Sequence, residues 1–301
     1  MGVANLGYVI LEMQDPSAWA KFAKTVLGFG TAKSFGEKGA KYLRMDNSPF
    51  RYMIRKGDTD RFVAGGYQMS SKKAFEDQIK LLEKKKVTVT RGSDKDAKNR
   101  AVKAVASFHD PSGNQVEIFY SREKGEAFTP GHGIKSFKTG KMGLGHMVLP
   151  APENKKTIDF YCKVMGFGVS DDLTLPAFAP GMPEQRIYFM HADNPRHHTL
   201  GLYNFPNPTG VIHLMAEMNT VDEVGMCMDR VKEAGLHIFA SLGRHANDHM
   251  VSFYFFAPGG IGFEVGYEGK QIKDWSKYKP TKSKIGDLWG HEYDFPVVGE
   301  T

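Results

Sequence analysis

The chain has 301 residues and a mass of 33.6 kDa, room for two domains, and its 41% hydrophobic and 25% charged residues describe a globular protein and not a disordered one. Its net charge of +6 is unevenly spread: the first 140 residues hold 25 Lys and Arg against 15 Asp and Glu, the remainder 15 against 19. No apolar run is long enough for a spanning helix, and two cysteines cannot build a disulfide scaffold. The opening residues also lack the basic and apolar pattern of a signal peptide, so a cytoplasmic protein without a membrane partner is expected. Basic groups such as Lys72-Lys73 and Lys84-Lys85-Lys86 have few aromatics between them. They read as solvated helix faces, and no nucleic-acid partner is expected.

In chain order, Leu6 to Leu11 is an apolar strand pattern, followed by a helix signal. Asp15 is placed to cap that helix, Pro16 suits its first turn, Trp19, Phe22 and Val26 form a buried stripe, and Gly28 ends it. A second helical pattern runs from Lys73 to Lys86, a strand pattern from Ala104 to Phe108, and Asp110-Pro111-Ser112-Gly113 is a turn leading to Glu117. Beyond Pro130 to Gly140 the series returns. Leu144 to Leu149 echoes Leu6 to Leu11, a helix is expected from Lys155 to Met165 before Gly166-Phe167, and another from Val221 to Ala234. Met250 to Phe256 and the turn Ala257-Pro258-Gly259-Gly260, leading to Glu264, complete the copy. Cys162 and Cys227 both lie in helix-like apolar stretches and are expected as buried structural thiols.

The chain is therefore an internal duplication: an α+β protein of four strand–helix–strands units. They form two domains, residues 1–135 and 136–301, with a tail after about Glu268 that would cover a pocket mouth or contact another subunit.

Three polar residues sit where burial is costly. His146, His213 and Glu264 each lie inside an otherwise apolar strand. A divalent metal is the economical compensation, and two imidazoles with one carboxylate match the open-sided set used in non-haem Fe(II) oxygen chemistry. Zn(II) accepts the same donors, but the helical H-E-x-x-H pattern is absent. The duplication supplies a control. Tyr8 stands in the place of His146, Ala64-Gly65-Gly66-Tyr67 has no imidazole near the place of His213, and only Glu117 matches Glu264. A unit of this kind folds without the histidines, so the metal site is expected in the second half alone. His197-His198 and the loop Arg244-His245-Ala246-Asn247-Asp248-His249, just before the strand carrying Tyr254, would supply acid–base and hydrogen-bonding groups to the same cavity.

The segment from Gly243 is specific: Gly-x-His245, seven residues, Phe253-Tyr254-x-x-Ala257-Pro258-x-Gly260, three residues, Glu264. It resembles the signature of the type I extradiol ring-cleavage dioxygenases of the vicinal oxygen chelate superfamily. Gly143-Leu144-Gly145-His146-Met147-Val148, Arg196-His197-His198-Thr199 and Val211-Ile212-His213-Leu214 strengthen the likeness, which spans nearly the whole chain. The resemblance implies the vicinal oxygen chelate (glyoxalase-like) fold, with paired βαβββ modules in each domain. It also implies Fe(II) on His146, His213 and Glu264 (Mn(II) suits the same donors) and meta cleavage of a catechol by O2 to a ring-opened enol-keto acid. His198 matches the acid–base group; His245 and Tyr254 match groups that hydrogen-bond the substrate oxygens. Asn247 and Asp248 match residues beside the pocket, and Val148 matches a pocket wall to which Phe205 is added as a guess. His197 and His249 gain no role.

The substrates implied are bicyclic or aryl-substituted catechols, 2,3-dihydroxybiphenyl first, with 1,2-dihydroxynaphthalene or a steroid-derived catechol as alternatives; a homo-oligomer is implied too. The same scaffold serves glyoxalase-like isomerases and small-molecule binding proteins, which would need no such triad beside His198 and Tyr254.

Overall fold

The structure is a computed structural model that describes residues 2–295. Its first half contains strands β1 (Val3–Met13), β2 (Gly30–Thr31), β3 (Lys41–Arg44), β4 (Tyr52–Lys56), β5 (Arg61–Met69), β6 (Thr90–Arg91), β7 (Val102–His109) and β8 (Gln115–Arg122). Helices α1 (Pro16–Phe22), α2 (Lys72–Lys84) and α3 (Asp94–Asn99) lie between them. The second half contains β9 (Met147–Pro150), β10 (Gly168–Leu175), β11 (Gln185–His191), β12 (Leu200–Tyr203), β13 (His213–Met218), β14 (Ile238–His245), β15 (Val251–Ala257) and β16 (Ile261–Tyr267), with helices α4 (Asn154–Phe160) and α5 (Val221–Glu233). The tail adds β17 (Thr281–Ser283) and β18 (Asp287–Trp289).

Two sheets result, ordered β2-β3-β4-β1-β5-β8-β7-β6 and β17-β10-β11-β12-β9-β13-β16-β15-β14-β18. In every module the first strand runs parallel to the last: β1 with β4, β5 with β8, β9 with β12, β13 with β16. Modules join in pairs at antiparallel seams, β1 with β5 and β9 with β13. This is the α+β arrangement of four βαβββ modules read from the repeat. The tail strands do what the repeat could not show, pairing with β10 and β14 and covering both edges of the second sheet.

Local signals account for the helix ends. The Asp15 carboxylate accepts from the N–H groups of Ser17 and Ala18 at 2.8 and 3.0 Å. After Phe22 the chain widens into a π turn over Ala23–Leu27, closed by Gly28 at φ 76°, and the second copy repeats this over Tyr161–Met165 before Gly166 at φ 77°. The helix expected from Lys155 to Met165 is thus α-helical only to Phe160. Helix α3 was not predicted, although Ser93 and Asp96 form a capping box at its start. Cys227 is buried as expected, its thiol pushed up to about 11 by burial, but Cys162 is only partly buried, packed against the margin of the core. Among the described residues no helix is long and apolar enough to cross a membrane.

The helix-covered faces of the two halves share one apolar core. The Trp19 indole N–H donates to the Pro258 carbonyl, Gln78 to Val164 and Arg230 to Val26, while Phe22 packs edge-on against Phe255. Strand alternation sends Met147, Leu149, Leu200, Leu202, Leu214 and Phe263 into that core. Their neighbours His146, Val148, Gly201, Tyr203, His213 and Glu264 are left on the opposite, inner face. In the first half the inner face is filled with rings: Tyr8, Phe35, Tyr42, Phe50 and Phe119 lie 5.0 to 5.7 Å apart.

Candidate active site

Three central strands of the second sheet bring the predicted ligand set together. His146 immediately precedes β9, His213 opens β13, and Glu264 sits mid-way along β16, opposite Met215 of β13. Gly145, at φ 150°, lies so close to the Met215 carbonyl that any Cβ there would overlap it, and this approach sets the position of His146. His146 Nε2 is 3.1 Å from His213 Nε2 and 3.0 Å from Glu264 Oε2, and His213 Nε2 is 3.4 Å from the same oxygen.

The donor set fits a divalent metal. His146 and Glu264 are buried, His213 nearly so, and neither Glu264 oxygen has a hydrogen-bond partner of good geometry. Two ring nitrogens therefore face a buried carboxylate whose oxygens no hydrogen bond satisfies, a need that a cation would meet. Burial alone would raise the Glu264 carboxyl, but His146, His213 and His245 hold it well below the usual carboxylate range. Burial pushes His146 down to about 4, leaving the neutral, ligating form.

The first half shows how the same strand position is satisfied without metal. Glu117 accepts from Arg100 Nη2 at 2.6 Å, from Arg100 Nε at 2.8 Å and from the Tyr8 hydroxyl at 2.6 Å. Arg100 follows α3, so the unpredicted helix delivers the guanidinium that replaces the histidines. Strand register puts Ala64 in the place of His213.

The remaining predicted residues divide into those against the cluster and those further out. The His198 ring packs 4.1 Å from that of His146 and 4.7 Å from Phe189, centroid to centroid. Burial, with His146 and His197 beside it, holds His198 far below its ordinary value, so the ring is neutral. Its Nδ1 lies 3.1 Å from His197 Nδ1, and His197 Nε2 lies 3.2 Å from the Tyr278 hydroxyl. Asp248 is buried, 3.8 Å from His198, and Asn247 turns its side-chain oxygen onto the Asp248 N–H. Tyr254 is the cross-strand partner of Glu264, and its hydroxyl is 2.7 Å from His245 Nε2. Burial works against charge on His245, but Asp287 and Glu264 raise it to about 10.

Val148 lies on the inner face opposite Gly201, which has no side chain to crowd it. Phe205 stands past the end of β12, tilted against Tyr203 and edge-on to Phe178, so its ring contacts are with those two and not with His146 or His213. His249 is exposed in a tight turn at φ 62°. Reading the sequence missed Phe189, for which strand alternation along β11 was the available signal. The tail segment Asp287-Leu288-Trp289-Gly290-His291 is expected from sequence only to cover the pocket mouth or contact another subunit, and the specific contact of Asp287 with His245 carried no signal.

The family described as "Glyoxalase/Bleomycin resistance protein/Dioxygenase superfamily" matches residues 143–265, and "Dihydroxybiphenyl dioxygenase BphC D1" matches residues 6–57. The chain is 36% identical to an iron-dependent extradiol dioxygenase of Rhodococcus jostii (strain RHA1), over 97% of this chain and 98% of that protein. It is 33% identical to a biphenyl-2,3-diol 1,2-dioxygenase of Paraburkholderia xenovorans (strain LB400), over 97% and 96%. A crystal structure of a catechol 2,3-dioxygenase superposes with a TM-score of 0.90 at 27% identity, covering 100% of this chain and 98% of that one. With its full-length likeness to metal-dependent relatives and its two-histidine, one-carboxylate cluster in the second half, the chain belongs to the extradiol dioxygenases of the glyoxalase-like vicinal oxygen chelate superfamily.

Proposed function

We propose that this protein is an Fe(II)-dependent dioxygenase that opens an aryl-substituted or bicyclic catechol beside its diol, with 2,3-dihydroxybiphenyl the favoured substrate type. The observation that carries the reading is the convergence of His146, His213 and Glu264 on the inner face of the second sheet, with both buried Glu264 oxygens lacking a hydrogen-bond partner. Those three side chains would hold the metal, which supplies a Lewis acid for the catechol oxygens and an electron relay to O2. One ring C–C bond breaks and both oxygen atoms enter the enol-keto acid product.

The other residues then have defined tasks. Neutral His198 accepts a catechol proton and returns it as the ring opens. His245 and Tyr254 hydrogen-bond the substrate oxygens from the opposite side of Glu264, and the Asn247–Asp248 turn holds that loop against His198. Val148, Ile187, Phe189 and Tyr203 share the inner face, an apolar wall suited to a second ring, with Phe205 packed against Tyr203. A homo-oligomer fits the half-exposed Leu288, Trp289, Tyr293 and Phe295 of the tail, and a reducing cytoplasm fits the two free thiols.

The test is anaerobic loading with Fe(II), then addition of oxygen with 2,3-dihydroxybiphenyl, 1,2-dihydroxynaphthalene and a monocyclic catechol in parallel. A yellow product, formed with the highest kcat/KM on the biphenyl diol, is expected. Bound iron with no yellow product from any of the three refutes the activity, and a preference for the monocyclic catechol refutes the substrate assignment.

A further inference from the structure

We infer that the C-terminal tail is a working part of the active site, with Asp287 the positioning residue for His245; this rests on the reading of His245 as a substrate-contacting group. Strand β18 pairs antiparallel with β14 and sets Asp287 opposite His245. Asp287 Oδ1 accepts from His245 Nδ1 at 2.8 Å and from His291 Nδ1 at 2.7 Å, and Asp287 Oδ2 accepts from the Tyr293 hydroxyl at 3.2 Å.

The tail is seated closely enough for this contact to be specific. His291 is 4% exposed, and its Nε2 lies 3.0 Å from the Ser252 carbonyl oxygen of β15. Gly290 and His291 both take left-handed backbone, at φ 72° and 51°. A Cβ at Gly243 of β14 would come within 2.5 Å of the His291 ring and backbone, so the glycine two residues before His245 makes room for the tail.

The geometry has one consequence for the imidazole. With Nδ1 tied to Asp287, Nε2 points inward, 2.7 Å from the Tyr254 hydroxyl and 3.4 Å from Glu264 Oε1. A flipped ring would lose the Asp287 bond and turn carbon toward the substrate oxygens. His245, Asp287 and His291 also have the composition of a metal site. Here, however, two ring N–H groups converge on one carboxylate oxygen, so the cluster is satisfied by its own protons and needs no cation.

The test uses the Fe(II)-loaded full chain with D287A, D287N, H245A and the D287A/H245A double variant. Anaerobic optical titration with 2,3-dihydroxybiphenyl gives Kd, and steady-state runs give kcat and KM separately. D287A is expected to keep its iron and weaken catechol binding about 10–100-fold. D287N keeps an acceptor for both rings and is expected to bind close to wild type, which also covers the case in which alanine unseats the tail. The double variant is expected to match H245A, because Asp287 acts through that ring. Three outcomes overturn the inference while leaving the role of His245 intact: wild-type binding by D287A, equal damage from D287N and D287A, or a double variant clearly weaker than H245A. Wild-type binding by H245A overturns the reading of His245 and the tail inference with it.

Discussion

The duplication provides paired carboxylates at one strand position, and neutralising each should have unequal effects on the metal-free protein. Glu117 and Arg100 form a bidentate pair with side chains only 3% and 13% exposed, supplemented by Tyr8. Glu117→Gln leaves a buried guanidinium without its counter-charge, which costs about 3–5 kcal/mol. With an unfolding entropy of about 2 cal/mol/K per residue, the midpoint of this 301-residue chain should fall by about 5–8 °C. Glu264→Gln removes a charge that no donor of good geometry satisfies in the metal-free protein, and the amide can donate to a neighbouring imidazole. Its metal-free midpoint should fall by less than that of Glu117→Gln, because the lost attraction to His245 is partly offset by removing a buried charge with no hydrogen-bond partner. The variant should instead lose the metal-induced stabilisation, worth about 2.7 kcal/mol at a hundredfold excess of metal over Kd. Calorimetry of both variants under nitrogen, with and without Fe(II), separates the cases. A drop in metal-free Glu264→Gln comparable to that of Glu117→Gln would give Glu264 a structural role and refute the reasoning, as would an unshifted Glu117→Gln.

His198→Phe should retain its iron while kcat falls about 10²–10⁴-fold, read by single-turnover kinetics; a fall in iron content would mean the ring supports His146 instead. Gly145→Ala, whose Cβ has only the Met215 carbonyl to displace, should lose iron and melt lower, whereas iron content equal to wild type would show that the strand can shift. Metal-free stability should peak near neutral pH. Burial holds His146 and His197 at about 4 and keeps His198 well below its ordinary value, so stability is complete above the ordinary histidine value and declines as the pH falls toward 4. His245, raised to about 10, contributes stability that is complete below its ordinary value and is lost as the pH climbs toward 10. Urea midpoints that vary in one direction only from pH 4 to 10 would contradict one of these shifts.

Much of the molecule was legible before any coordinates. The repeat, the Asp15 cap, the glycines closing each first helix and the ionisable residues inside apolar strands are local anomalies, and a local anomaly can be seen along the chain. His146, His213 and Glu264 stood out because each breaks an apolar run, and Tyr8 in the duplicate showed that the fold itself does not require them. Arg100 gave no such signal, since its partner lies 17 residues on and the pairing depends on a short helix. Asp287 gave even less: it lies 42 residues beyond His245 on a three-residue edge strand too short to show a period. The face of β11 and β12 that walls the pocket was likewise decided by strand register, and Phe205, chosen from sequence, packs on Tyr203 and Phe178 while Phe189 packs on His198. Sequence alone thus marked the duplicated α+β architecture and singled out His146, His213 and Glu264 as a candidate metal-ligand set, because burial of polar groups in strands leaves a mark within a few residues. Tertiary structure decided which groups surround and steer that set, because strand pairing and tail docking join residues whose separation along the chain carries no information about their contact.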